Sequence, residues 1–213
     1  MAQRPAYRVK DTKPFYKCQM VEFVYNGGFA ASQKQKNIVA IHEAYNKIHP
    51  EDRILEISSK SLQPIGISLS AFNLLKYVPS IKKSIPVENV YQGGKKFALD
   101  GPFYDLYEVT PREAKKDERL RQSGSLKAFC FEGERFPLLP KTAFYDWIYI
   151  NAILENDKLI DELSQYDAFT DVEFNPQKSL NCQARAAAIF VSLLRAGELR
   201  KIKNFNCFIE IYR

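Results

Sequence analysis

The sequence has little histidine, little cysteine and no long apolar run, and each shortage closes off a class of function. Two histidines occur in 213 residues, His42 and His49. Their spacing does not place two imidazoles on one helix face, as a helical zinc pair requires. The four cysteines, Cys18, Cys130, Cys182 and Cys207, form no CxxC pair, which fits a reduced chain better than a redox or metal centre. No metal-ligand cluster is present, and no metal or other cofactor is expected. No apolar stretch approaches the roughly 20 residues that span a bilayer. Met1-Ala2-Gln3-Arg4-Pro5 lacks the apolar centre of an export signal. A cytoplasmic protein without a membrane partner is therefore expected. Nor does any run of five like charges occur, which excludes a disordered basic arm. Acid–base chemistry must rest on carboxylates and lysines.

What is plentiful is apolar and aromatic: 46% of residues are hydrophobic, with 15 Phe and 12 Tyr, enough for a packed core. The net charge of +6 suits a lysine-rich solvated surface and a polyanionic partner equally well. Residues 1–36 read as extended and loop-rich, with a strand over 20–25 stopped by Asn26-Gly27-Gly28. Ile38, Ile41, Tyr45 and Ile48 then recur at helical spacing over 37–48, with His42 on the flank. A second strand is expected over 53–58. The apolar segment 66–74 reads as a buried strand or a tight loop. Ser84 offers a helix cap ahead of Pro86. Thr110-Pro111-Arg112-Glu113 is a capping box whose highly charged helix should run to about Ser123, solvated, with Gly124 as its left-handed cap. A hairpin is expected at Gly133, and helices over 141–154, 156–166 and 181–196, with Gly197 capping the last. The expectation is an α+β, predominantly helical single domain. Residues 1–52 form an N-terminal extension of strand plus amphipathic helix, and 53–213 the catalytic domain.

The segment richest in chemistry is Val87-Glu88-Asn89-Val90-Tyr91-Gln92-Gly93-Gly94-Lys95. On a continuous helix Glu88, Gln92 and Lys95 would project from one face. If buried, they supply an acid–base group, an orienting amide and an amine; if exposed, they are an ordinary stripe with a weak ion pair. Gly93 and Gly94 count against a continuous helix, or else allow close backbone approach to a ligand.

Glu88-x-x-x-Gln92-x-x-Lys95 resembles the E-H-Y-F-Q-A-x-K signature of the NADAR, or YbiA-like, superfamily. Leu69-Ser70-Ala71-Phe72-Asn73 is similar to that family's L-S-N-F segment, and Thr110-Pro111-Arg112-Glu113-Ala114-Lys115 to its T-P-x-E-A-K segment. Asn156-Asp157-Lys158-Leu159, Asp171-Val172-Glu173 and Asn181 parallel its N-P-E-L, L-V-E and G-x-N stretches in the same order. The resemblance runs from about residue 54 to 196. The family's W-G-x-G stretch is replaced by Phe174–Ser179, and its tryptophan before the core helix has no counterpart near Phe136-Pro137. The long N-terminus and Tyr145-Asp146-Trp147 look most like the branch of antitoxins that accompany DarT-type toxins.

The resemblance implies an N-glycosidase that removes ADP-ribose from the guanine amino group of DNA, with ADP-ribosylated DNA as substrate and ADP-ribose as product. A DarT-type toxin is the implied protein partner. Two alternatives stand beside it: cleavage of a phosphoribosylaminopyrimidine, and a non-catalytic antitoxin that binds its toxin. By the same resemblance Glu88 is the acid–base residue. Lys95 either forms a Schiff base as a desolvated amine or stays charged and binds a phosphate or sugar hydroxyl. Ser70, Phe72, Asn73 and Gln92 would position the ribose. Asp171 or Glu173 would give a second carboxylate. Asn181, Gln183 and Arg185 lie at a helix start suited to phosphate, and Lys60 is a further diphosphate candidate. Tyr145 and Trp147 either stack on a base or pack the core.

Overall fold

An alanine-rich segment and an aromatic one become helices buried on almost every side, and such helices must lie at the centre of the domain. The computed structural model describes residues 1–212. The chain opens with β1 (Ala2–Arg8) and β2 (Lys17–Phe23), followed by α1 (Ala31–Asn46), β3 (Ile54–Glu56) and α2 (Pro64–Ser68). A hairpin of β4 (Leu75–Val78) and β5 (Lys83–Pro86) leads into α3 (Val87–Gly93) and β6 (Lys95–Phe97). Two short helices, α4 (Pro111–Lys116) and α5 (Arg119–Gln122), precede the hairpin of β7 (Leu126–Phe131) and β8 (Glu134–Phe136). Then come α6 (Ala143–Leu154), α7 (Asp157–Leu163), β9 (Ala168–Thr170), α8 (Gln183–Arg195) and α9 (Phe205–Ile209).

The main core forms where α6 and α8 pack together, with Phe144, Tyr149, Phe169 and Phe190 fully buried. A second core lies under α1. Its Ile38, Ile41 and Tyr45 face Val21, Phe23, Ile54 and Ala168. Between the two cores runs a four-stranded sheet in the order β2-β1-β9-β3. Strands β3 and β9 pair in parallel, Leu55 opposite Phe169, while β1 pairs antiparallel with both β2 and β9. Every residue of β3 and β9 is buried, as expected of strands covered on both faces. Burial therefore extends to two polar side chains, Glu56 and Thr170.

Helices hold 42% of the chain and strands 19%, so the domain is α+β, and helix outweighs strand without reaching half the chain. β1 and β9 share backbone hydrogen bonds, so no gap in the sheet marks residue 52. Several local expectations shift. The α1 helix begins at Ala31 and ends at Asn46, which leaves Ile48 outside it and 53% exposed. The 66–74 segment is neither strand nor simple loop: it holds the end of α2 and a turn closed by Asn73 N–H to the Ser70 carbonyl. Ser84 lies inside β5 rather than capping a helix. The helix expected to reach Ser123 breaks at Asp117, whose carboxylate accepts from the Arg119 backbone and guanidinium. The Thr110/Glu113 capping box forms as expected. Gly124, Gly133 and Gly197 all adopt positive φ, where only glycine is unstrained. Among the described residues no helix is long and apolar enough to cross a membrane.

One buried contact ties this core to the turn that follows α2. The Tyr149 hydroxyl, fully buried, donates to the Leu69 carbonyl at 2.6 Å. Tyr149→Phe strands that carbonyl and is expected to lower stability by about 1–3 kcal/mol, measured by urea unfolding. An unchanged midpoint would show that the contact does not anchor the turn.

Candidate active site

Helix α3 is fixed at both flanks before any ligand is considered. Its first N–H groups have no partner within the helix, and the 71–74 turn takes them: Val87 N donates to the Leu74 carbonyl at 2.9 Å and Glu88 N to that of Ala71 at 3.0 Å. From the other side, the fully buried Asn89 donates to the carbonyls of Leu106 and Val109 at 2.7 and 2.8 Å. Glu88 is thereby held in the first helical turn, 6% exposed, where the helix dipole favours a carboxylate.

Glu88, Gln92 and Lys95 do not share a continuous helix. The helix stops at Gly93, and Lys95 opens β6. The three side chains meet all the same. Gln92 Nε2 donates to Glu88 Oε1 at 2.8 Å, and Lys95 Nζ donates to Gln92 Oε1 at 2.6 Å. One amide bridges carboxylate and amine. The two glycines serve this corner through protein packing rather than ligand approach. A Cβ on Gly93 would fall 2.7 Å from the Tyr107 ring, and one on Gly94 2.6 Å from the Cys130 carbonyl oxygen. Burial pulls the Lys95 amine down to about 8. Glu88 opposes that shift and the Lys115 charge adds to it. Lys95 Nζ also lies 4.7 Å from the centroid of the Tyr91 ring.

These groups line a cavity of about 1000 Å³, at the upper end of small-ligand sites and roomy enough for a dinucleotide-sized ligand. Of the thirteen expected site residues, the cavity gathers Ser70, Phe72, Glu88, Gln92, Lys95, Tyr145, Asp171, Asn181 and Gln183, with Glu173 beside them. Gln183 acts there as a clamp. Its Oε1 accepts from Ala71 N at 2.8 Å and its Nε2 donates to the Ile57 carbonyl at 2.7 Å, so its amide is already engaged. Asn181 donates to the Tyr91 hydroxyl oxygen at 2.7 Å, while its own Oδ1 is buried without a partner.

Four expected residues lie elsewhere. Asn73 donates to the Ile67 carbonyl at 2.9 Å and closes its own turn. Trp147 packs against Phe136 and Phe205 and donates to the Ile202 carbonyl at 2.8 Å. Arg185 pairs with the buried Asp146 at 2.9 Å, which also accepts from the Tyr212 hydroxyl. Lys60 lies outside the lining, although its neighbour Ser59 belongs to it. Conversely, Tyr91, Lys115, Lys141 and Lys178 line the cavity unanticipated. Lys115 keeps the solvated position expected of it, its side chain 59% exposed, while its Nζ reaches to 3.8 Å from Glu88 Oε1 and 5.4 Å from the centroid of the Phe72 ring. The capping box was the available signal, since it sets the phase of α4 and with it the side on which Lys115 emerges.

Acylation of Lys95 by an amine-selective reagent is expected to rise with pH through about 8, against about 10.4 for an unperturbed lysine. Only the neutral amine reacts, so labelling grows as the proton leaves. Glu88→Gln removes the one charge that favours the ammonium form, and the midpoint should move lower. Peptide mass spectrometry across the pH range reads both. A Lys95 midpoint near that of exposed lysines would refute the desolvated amine.

The family model for DarT1-associated NADAR antitoxins matches residues 2–213. No curated protein matches the chain.

Proposed function

The chain belongs to the family of DarT1-associated NADAR antitoxins, and on that premise we propose that it is an N-glycosidase that removes ADP-ribose from the guanine amino group of DNA. The observation that carries this reading is the buried line Glu88–Gln92–Lys95 in the wall of a nucleotide-sized cavity. Water exclusion there favours a neutral lysine beside a carboxylate. Lys115, Lys141 and Lys178 on the same lining supply positive charge suited to phosphates.

The bond to be broken joins ribose C1 to an exocyclic amine. The sugar ring opens when its ring oxygen takes a proton and the nitrogen lone pair forms a C=N bond at C1. The neutral Lys95 amine adds to C1, and the guanine amine departs with a proton. Water then hydrolyses the lysine Schiff base, returning the free amine and an ADP-ribose aldehyde that recloses. Glu88 takes up and returns protons along this sequence. Its neighbours are donors only, the Gln92 amide and the Lys115 ammonium, which suits a carboxylate that receives protons. The reaction consumes water, needs no cofactor, and is consistent with a cytoplasmic role in relieving a DNA-modifying toxin.

A second reading has one observation in its favour. Strand β2 is a sheet edge, and Met20, Val24, Tyr25 and Phe29 on or just after it are exposed. Apolar exposure of that kind suits direct binding to the toxin.

The test incubates the protein with guanine-ADP-ribosylated DNA and follows released ADP-ribose. Glu88→Gln and Lys95→Ala are expected to slow release by at least about 100-fold. Lys96→Ala should stay near wild type, because that amine bonds to the Gly101 carbonyl instead. Borohydride should trap the protein on substrate only when Lys95 is present. An adduct left intact by wild type, with cellular protection surviving Glu88→Gln and Lys95→Ala, would replace this reading with the toxin-binding one.

A further inference from the structure

Two carboxyl groups stand close together at the end of the β3–β9 pair, and among the described residues no lysine or arginine pairs with either. Glu56 ends β3 and aligns with Thr170 of β9, and Asp171 is the next residue along. Both are buried, but only Asp171 lines the cavity. The hydrogen bonds around them are unequal. Glu56 accepts on both oxygens: from the Thr170 hydroxyl at 2.6 Å and from Val172 N at 2.8 Å. Thr170 Oγ1 in turn lies 2.9 Å from His42 Nε2. Thr170 thus links the His42 ring to Glu56. Asp171 accepts through Oδ1 only, from Glu173 N at 3.0 Å and Phe174 N at 3.1 Å.

The groups that face Asp171 are Glu56 from β3, Glu173 two residues on, Tyr145 and Tyr149 from α6, and Cys182 ahead of α8. None is a cation. Two anions so close and so dry do not coexist, and such a pair keeps one proton. Both Glu56 oxygens are engaged in hydrogen bonds, whereas Asp171 Oδ2 takes part in none among the described residues, and there the shared proton is carried at the cavity wall.

We propose that Asp171 is the proton donor of this site, a neutral carboxylic acid whose proton goes to the departing guanine amine, with Glu56 as the positioning residue that keeps it protonated. The proposal rests on the N-glycosidase reading above. As the C1–N bond breaks, its electron pair stays on nitrogen and the Asp171 proton completes the amino group. Asp171 is left as a carboxylate. The water that attacks C1 gives its proton to Glu88, which returns it to solvent, and Asp171 is reprotonated from solvent. Giving and taking of protons thus fall to different carboxyl groups of the same lining. Burial above all, and then the mutual proximity of the pair, raises the Asp171 carboxyl well above the ordinary carboxylate range. Burial likewise raises Glu56, against which its hydrogen bonds work.

The experiment follows single-turnover ADP-ribose release from guanine-ADP-ribosylated DNA between about pH 5 and pH 10, with ADP-ribose affinity titrated in parallel. The full chain is used as wild type, Asp171→Asn and Glu56→Gln. Release requires protonated Asp171, so the rate falls as pH rises through its pKa. Asp171→Asn is expected to lose this descending limb and about 100-fold or more in rate, with ADP-ribose affinity unchanged within a few-fold. Glu56→Gln removes the neighbouring negative charge, lowers the Asp171 pKa and moves the limb to lower pH. Wild-type cleavage with rate and limb unchanged in both variants overturns this proposal alone. Absence of wild-type cleavage overturns the N-glycosidase reading and this proposal with it. Should a variant fail to fold, infrared spectra of wild type carrying 13C-labelled aspartate decide. A protonated aspartic acid carbonyl band at neutral pH supports the proposal, and its absence overturns it.

Discussion

A carboxylate kept almost wholly out of water dictates the rest of this site. Glu88 is placed in the first turn of a helix whose first two N–H groups are taken by a neighbouring turn, so its direct hydrogen-bond donors are side chains. The Gln92 amide donates to it and the Lys115 ammonium stands nearby. Once Gln92 has turned its N–H₂ toward Glu88, its oxygen faces outward and is left for the Lys95 amine. The amide thus carries polarity from an acid to an amine that do not touch. Had Lys95 met Glu88 directly, a full ion pair would have fixed it as an ammonium. The interposed amide accepts one hydrogen bond from the lysine and lets burial act on the remainder.

The clamp formed by Gln183 has an analogous standing for the shape of the cavity. Its two hydrogen bonds join α8, the end of β3 and the Ala71 turn, which are the segments that bring Asp171, Glu88 and Asn181 to one space. The same residue that looks like a ligand donor in sequence is spent on holding three backbones together. Close packing elsewhere works to the same end: a Cβ on Gly66 would lie 2.1 Å from the Glu56 carbonyl oxygen, so α2 seats directly on the strand that carries Glu56.

Much of this was legible in the sequence, and the pattern of what was not is physical. The α6 and α8 helices declare themselves through apolar density, the Thr110 cap through side-chain chemistry, and Gly124 and Gly133 through the need for positive φ. These are local causes. The break at Asp117 depends on an Arg119 guanidinium that Asp105 holds from another segment, and the corner at Gly94 on the distant Cys130 carbonyl pressed against it. Site residues divide in the same way. Glu88, Gln92 and Lys95 stand in one short motif, and they meet although the helix stops at Gly93, where the two glycines count against its continuing. Arg185 and Trp147 belong to types often used on ligands, but Asp146 and the Ile202 carbonyl claim them first. Lys115 shows the reverse, a residue of a solvated helix that stays exposed yet is brought to the cavity rim by where α4 docks. The pairing of Glu56 with Asp171 has no sequence signature at all, because it arises only when β3 and β9 lie side by side.

The order of strands in the sheet also bears on when the protein becomes competent. β1 is made well before β9, one of its two neighbours, with Ala6 opposite Thr170, so the long segment between them must be made before that strand is paired on both sides. Contacts of such long sequence separation form late because a large loop must close first. Asp171, Asn181 and Gln183 follow β9, and the cavity therefore lacks a wall until they are made. A chain released short of them carries the Glu88 motif without the cavity around it.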